Sequence, residues 1–216
     1  MKLEIIFLKA EKIFRKAIYF SIALSTIALG LYAILGFHVR MVADDYCSAF
    51  RGLEYGPIEG VIYRYQTWAA EYSNFFIKYS LAPFQPRIHS WISIFTVLMF
   101  LVSTAYLVSQ IFKYIKTPQK NQYLTLFTII LTFTFYRIMP SYQHAFWFAA
   151  VIPYTWAIII LIFFIGTALQ YFSSPRTTGV LLLFLIWTLI VTLILCGFIS
   201  IMTTSLGIGY ILLLLM

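Results

Sequence analysis

The sequence predicts an all-α, polytopic membrane protein: a transmembrane helical bundle with a long first outer loop containing amphipathic interfacial helices. Three observations predict it. Hydrophobic residues make up 62% of the 216 and charged residues 10%, where a soluble domain carries about 25% charged. Mean hydropathy is +0.91. The apolar residues fall in runs of roughly twenty, the length that crosses a ~30 Å hydrocarbon core, and Lys and Arg gather between them as the positive-inside bias requires. The same grouping explains the net charge of +8. No Lys/Arg-rich run with interleaved aromatics lies in a polar context, so the charge does not point to nucleic acid.

Lys2, Lys9, Lys12, Arg15 and Lys16 precede the first apolar run, 17–37. They resemble the charged start of a signal peptide. The run, however, exceeds a typical h-region of about 7–15 residues, and no small-x-small cleavage site follows. It reads as an uncleaved first span with the N-terminus in the cytoplasm. Residues 38–89 then form a polar segment on the outer side. A second span, 91–112, returns the chain and ends at Lys113, Lys116 and Lys120, a cytoplasmic loop.

A third span is expected over 123–138, followed by an outer turn at Arg137–His144 that contains Pro140. The fourth covers 146–169 and contains Pro153, which breaks or kinks it. "YFSSPRTTG" (171–179) is a second cytoplasmic loop, and a fifth span covers 180–198. An incomplete sixth begins at about 207. A chain ending inside an unfinished span predicts the N-terminal part of a longer protein. The whole reads as a single transmembrane domain over 1–216, without an internal repeat or a soluble domain.

Cys47 and Cys196 can pair only if both face an oxidising side, and they read as unpaired. No CxxC, HExxH or histidine cluster suggests a metal site. All seven acidic residues lie within the first 71 positions. Glu4 and Glu11 sit in the basic N-terminal segment; Asp44, Asp45, Glu54, Glu59 and Glu71 sit in the outer loop. Acid-free spans argue against a proton-coupled transporter, which commonly places carboxylates at membrane depth.

Within the loop, "GVIYRYQTWAAEYSNFFIKYSLAP" (60–83) has helical periodicity. Apolar positions 61, 62, 65, 68, 69, 72, 75, 76 and 79 oppose a stripe of Arg64, Thr67, Glu71, Asn74 and Lys78. Pro83 and Pro86 stop it. The expectation is one helix lying flat in the outer interface, its polar stripe above the headgroups.

Asp44 and Asp45 are the candidate catalytic residues. Neighbours point in different directions on a helix or a strand, so the two cannot serve one atom alike. One division makes Asp44, nearer the membrane exit, a general base and Asp45 a holder of the loop. The other makes "ADD" an N-cap for a helix beginning near Tyr46. Arg40, Arg51, Arg64, Lys78, Arg87 and Arg137 are the outer cations. Arg137, at the end of the third span, most needs an anionic partner. His89 and His144 stand at outer span ends.

"ADDYCSAF" (43–50) resembles the first-loop acidic motif of the GT-C superfamily of integral-membrane glycosyltransferases. "YQTWAAEYSNFF" (65–76) is similar to a Trp-containing loop segment of its bacterial members. "SYQHAFWFAAVIPYTWAI" (141–158) resembles their fourth-span pattern W-x-x-G-x-x-x-Y-x-W, with Ala150 at the glycine. Ser73-Asn74 stands where many members have Gly-Arg. The resemblance implies binding of a polyprenyl-phosphate sugar at the outer face of the inner (plasma) membrane. The sugar would move to a hydroxyl of an envelope glycan, lipid or protein, with a first-loop Asp as base and cations on the leaving phosphate. It implies substrate contacts from Arg64, Glu71, Arg137, His144, Trp147, Tyr154 and Trp156, with the three aromatic residues stacking on sugar or forming an interfacial belt. The partners are then the lipid-linked donor and membrane lipids. No cofactor follows with certainty, and a divalent metal stays open. The alternatives are a transporter or flippase of envelope lipids, and a non-catalytic membrane scaffold.

Overall fold

The computed structural model describes residues 2–67, 71–85, 87–116, 121–138 and 146–173, and beyond them 179, 183, 186–191 and 194. Every regular element among these is helical. The chain runs through α1 (Lys2–Leu35), α2 (Asp44–Thr67), α3 (Tyr72–Leu81), α4 (His89–Tyr114), α5 (Asn121–Ile138), α6 (Phe148–Ala150) and α7 (Ala157–Ser173). Short 3-10 turns occupy Gly36–His38 and Ala82–Phe84, and Val151–Trp156 is a π-helix joining α6 to α7.

Three helices are long and apolar enough to cross a membrane: Arg15–His38, His89–Tyr114 and Phe148–Phe172, with mean hydropathies of 2.0, 2.1 and 2.5. They match the first, second and fourth expected spans within a few residues. The expected third span folds as α5, whose 18 residues rise about 27 Å, at the short edge of what a bilayer needs. Of the fifth, residues 186–191 are helical; most of its length and the start of the sixth lie outside the described residues.

α4 is the centre of the bundle, packing on α7, α5 and α1. Leu29, Val97, Phe100, Tyr136 and Ile159 bring those four helices into one buried cluster. Ile92, Phe148, Val151, Ile152 and Phe164 form a second. Gly166 lets α7 approach α4, since a Cβ there would stand 2.7 Å from the Tyr106 ring. Inside the bundle the Thr104 and Thr132 hydroxyls pair at 3.0 Å, as apolar surroundings favour, and nearer its surface Tyr106 donates to Gln170 at 2.6 Å.

Between α1 and α4 the chain builds a helical hairpin from α2 and α3. α2 kinks at Gly56, whose φ of 73° and ψ of 176° precede Pro57. Proline excludes the α conformation from the residue before it, and glycine takes the positive φ without steric cost. Gly52 and Gly60 seat α2 on α3. A Cβ at Gly52 would lie 2.6 Å from Ala82 Cβ and 2.9 Å from Tyr79 Cα; one at Gly60 would lie 2.7 Å from the Tyr79 ring.

The single helix expected over 60–83 is therefore two elements. Glu71, with φ −84° and ψ 54°, is not helical. Within α3 the expected solvent-facing stripe is also turned inward: Asn74 and Lys78 are 1% and 5% exposed, while Thr67 of the same stripe stays exposed. The reason is tertiary. This polar face has α2 and the 147–154 segment opposite it, and the polar groups line the space between them.

Candidate functional site

A cavity of about 430 Å³ opens between the hairpin and the start of the fourth apolar segment. α2 contributes Asp44, Cys47, Ser48, Arg51 and Arg64; Glu71 and α3 contribute Asn74, Phe75, Lys78 and Tyr79; the facing wall carries Trp147, Ala149, Ala150, Pro153 and Tyr154. Asp44, Ser48 and Arg51 recur at i, i+4 and i+7 and share one face of α2, and Asn74 and Lys78, at i and i+4, share one face of α3, with Glu71 at its N-cap.

The wall is fastened by Asp45, which has no exposed surface. Its Oδ1 accepts from the Ala149 N–H at 2.8 Å. Its Oδ2 accepts from the Val42 N–H at 3.0 Å and lies 3.3 Å from His89 Nε2, inside the protein. The Val42 carbonyl in turn accepts from the Asp45 N–H at 2.9 Å. This reciprocal pair holds the intervening Ala43 at φ +43°, a conformation that costs a non-glycine residue roughly 1–2 kcal/mol. Asp45 does cap a helix, but a distant one. It satisfies an N–H near the start of the helical run 148–173, where a carboxylate also meets the positive end of the dipole.

Lys78 holds the same residue from the other side, donating to the Ala149 carbonyl at 2.9 Å. Burial lowers its pKa from 10.5 to about 8; Glu71, Asp45 and Asp44 oppose the shift and Arg64 adds to it. The Arg64 guanidinium and the Lys78 ammonium both lie over the Phe75 ring, at 4.9 and 5.3 Å from its centroid. Asn74 donates to Glu71 Oε2 at 2.7 Å, while its own Oδ1 is buried without a partner among the described residues. Arg51 hydrogen-bonds the Tyr79 phenol, whose pKa is raised by burial against the lowering effect of Arg64 and Arg51.

Of the residues singled out in the sequence, Asp44, Arg64, Glu71, Trp147 and Tyr154 meet in this cavity. Asp45 stands behind its wall. Trp156 belongs to the core instead: its indole N–H donates to Thr96 at 2.9 Å and its ring meets Phe95 edge-on at 5.6 Å. Two residues beyond Tyr154 on a helical turn, it faces the opposite way. Arg137 is exposed at the end of α5 and does not line the cavity. His144 lies outside the described residues. Arg51 and Lys78, two of the outer cations of the sequence, also line the cavity; Asn74 and Tyr79 belong to the site without being among the sequence's candidates. The i, i+3, i+7 spacing with Glu71 is the available signal for Asn74 and Lys78, and by itself that spacing fits a solvated face equally well.

The cavity thus combines three cations, Arg51, Arg64 and Lys78, with two carboxylates, Asp44 and Glu71. Cations in a semi-enclosed site hold an anion such as a phosphate, and a carboxylate beside them accepts a proton from a hydroxyl. A divalent metal fits poorly. Three cations surround the two carboxylates, and no group of three or more His, Cys, Asp or Glu assembles among the described residues. No known protein family matches this chain, and neither does a curated protein or a solved structure.

Proposed function

We propose that this chain is a multi-pass membrane glycosyltransferase of the GT-C kind, with its N-terminus in the cytoplasm and the cavity at the outer face of the inner (plasma) membrane. It would take a sugar from a polyprenyl phosphate and pass it to a hydroxyl of an envelope glycan, lipid or protein. The observation that carries this reading is the meeting of Asp44 with Arg51, Arg64 and Lys78 in one cavity beside membrane-long helices. Its volume lies within the ~300–1,000 Å³ of small-molecule sites. In support, none of the three membrane-long helices carries Asp or Glu, the residues an ion-coupled transporter would place there.

In the proposed reaction the acceptor oxygen attacks the anomeric carbon. The carbon–oxygen bond to the phosphate breaks, and its electron pair leaves with the polyprenyl phosphate. Asp44 takes the hydroxyl proton, and Arg51, Arg64 and Lys78 stabilise the charge gathering on the phosphate. Trp147 and Tyr154 supply faces for the sugar.

The test uses the full chain in lipid nanodiscs with Cys196→Ser, so that Cys47 in the cavity is the only thiol. Polyprenyl-phosphate sugar should slow maleimide labelling of Cys47 where the uncharged polyprenol does not. Asp44→Asn should keep that protection while transfer falls by at least about 100-fold. Unchanged labelling with donor present removes the binding reading. Transfer at the parental rate by Asp44→Asn removes the base.

A further inference from the structure

We infer that Asn74 and Trp147 read a secondary amide on the ligand, so that the sugar accepted by the cavity carries an acetamido group at C2. The inference rests on the reading of the cavity as a polyprenyl-phosphate sugar site and names the class of sugar. Among the neutral side chains lining the cavity, two bury a polar atom that has no partner among the described residues: Asn74 Oδ1 and Trp147 Nε1. The two are opposite in kind. Asn74 is 1% exposed, and its Nδ2 donates to Glu71 Oε2 at 2.7 Å. A carboxylate accepts and does not donate, so this bond fixes which end of the amide is which. Turning the amide over would set two oxygens against each other. The end left over is an acceptor only. The indole N–H of Trp147 is a donor only, and the Trp147 carbonyl is already taken by the Ala150 and Val151 N–H groups at 2.9 and 2.8 Å. A buried donor or acceptor left unmade costs the desolvation of that group, and a ligand that supplies the missing bond regains it.

The position of the two groups points to one ligand group between them. The Lys78 ammonium joins α3 to the facing wall at the Ala149 carbonyl, at 2.9 Å. Asn74 stands one turn before Lys78 on the same face of α3, and Trp147 stands two residues before Ala149 in an extended conformation, φ −83° and ψ 107°. The acceptor and the donor therefore flank the same bridge from opposite walls. A trans secondary amide directs its N–H and its C=O in opposite directions, and so gives to Asn74 and takes from Trp147 at once. A hydroxyl offers both functions from a single oxygen. The indole N–H lies at the ring edge, which leaves the ring face to the sugar. Lys78, one of the phosphate-holding cations, fixes the position on the sugar: the substituent next to the phosphate-bearing carbon is the one on C2. Charge separates the acetamido group from a free amine. Arg64 and Lys78 lie over the ring of Phe75, next in sequence to Asn74, at 4.9 and 5.3 Å. They repel an ammonium placed there, and a neutral amide feels no such repulsion.

The full chain with Cys196→Ser is placed in lipid nanodiscs, and the readout is the donor concentration that halves maleimide labelling of Cys47. Polyprenyl-phosphate donors that differ only at C2 of the sugar are compared: N-acetylglucosamine, glucose and glucosamine. The acetamido donor should protect at a concentration at least about tenfold lower than the other two. Trp147→Phe keeps a ring and removes the N–H, and Asn74→Leu keeps the shape and removes the acceptor. Either should reduce that preference to about threefold or less. Equal protection by glucose and N-acetylglucosamine overturns the amide and leaves the phosphate site standing. Equal protection by glucosamine overturns it too, since an ammonium would then be tolerated beside Asn74. A full preference in both variants overturns the assignment to Asn74 and Trp147. Protection by none of the three donors removes the sugar-phosphate site itself, and this inference with it.

Discussion

Asp45 and Lys78 grip the two polar ends of a single residue: the carboxylate takes the Ala149 N–H at 2.8 Å and the ammonium donates to the Ala149 carbonyl at 2.9 Å. Asp45 is separated from Ala149 by 104 positions and Lys78 by 71. The clamp joins the α2–α3 hairpin to the start of the fourth apolar segment, and so sets the width of the cavity.

The two aspartates should separate cleanly in stability. Asp45→Ala leaves the Ala149 and Val42 N–H groups and His89 without their buried acceptor, a loss on the order of 3–5 kcal/mol. Asp44 is exposed, and Asp44→Ala should shift stability by no more than about 0.5 kcal/mol. Thermal melting of both variants in the same nanodiscs checks this; equal melting temperatures would show that the Asp45 contacts contribute nothing.

Phosphate affinity should fall as pH rises through the Lys78 transition. Burial brings that pKa to about 8, so the ammonium present at pH 7 is largely neutral by pH 9, while a phosphate monoester is already dianionic. A soluble short-chain prenyl phosphate should lose affinity across that window, and Lys78→Arg should remove the dependence. The sign for stability is the opposite. Between about pH 8 and 10.5 the unfolded lysine binds more protons than the folded one, so this group makes folding more favourable as pH rises. An affinity that is flat from pH 7 to 9 would take Lys78 out of the anion site.

Gly52→Ala should destabilise by about 1–3 kcal/mol, because the added methyl meets Ala82 and the Tyr79 backbone, which cannot swing aside. Gly30→Ala is the matched control: nothing lies within 4 Å of the new Cβ, and alanine's helix preference should stabilise by up to about 1 kcal/mol. Denaturation in one detergent compares them, and opposite signs are expected.

Trp147 and Trp156 should differ in kind. Trp156→Phe loses the bond to Thr96 and should cost roughly 1 kcal/mol without changing protection of Cys47 by ligand. Trp147→Ala opens the cavity wall and should weaken that protection with little change in melting. The reverse pattern would move the binding site to the far side of the π-helix.

Hydropathy made the long helices legible. The run 91–112 became His89–Tyr114 because burial in lipid is a property of composition, which a sequence displays directly. That the aspartates diverge was legible too, since adjacency alone requires it. The inward turn of Asn74 and Lys78 was not. Amphipathic spacing says that a helix has two faces, and only the neighbours decide which is wet. Asp45's partner was hidden for the same reason: a backbone N–H across the fold has no sequence signature. The break before Tyr72 was masked by an apolar period that runs through it unaltered. Trp156 looked like part of an aromatic motif, and its spacing carried no trace of Thr96.

The π-helix at Val151–Trp156 amounts to one residue more than a regular helix needs. It works as a rotary offset. Residues after it keep their stripe against α4, while those before it are swung by about 100° toward the hairpin. Removing a single residue from this stretch would leave a smoother helix and an unbroken span, yet Ala149 would turn away from Asp45 and Lys78. The cavity would then lose its far wall through a deletion that touches none of the charged groups inside it.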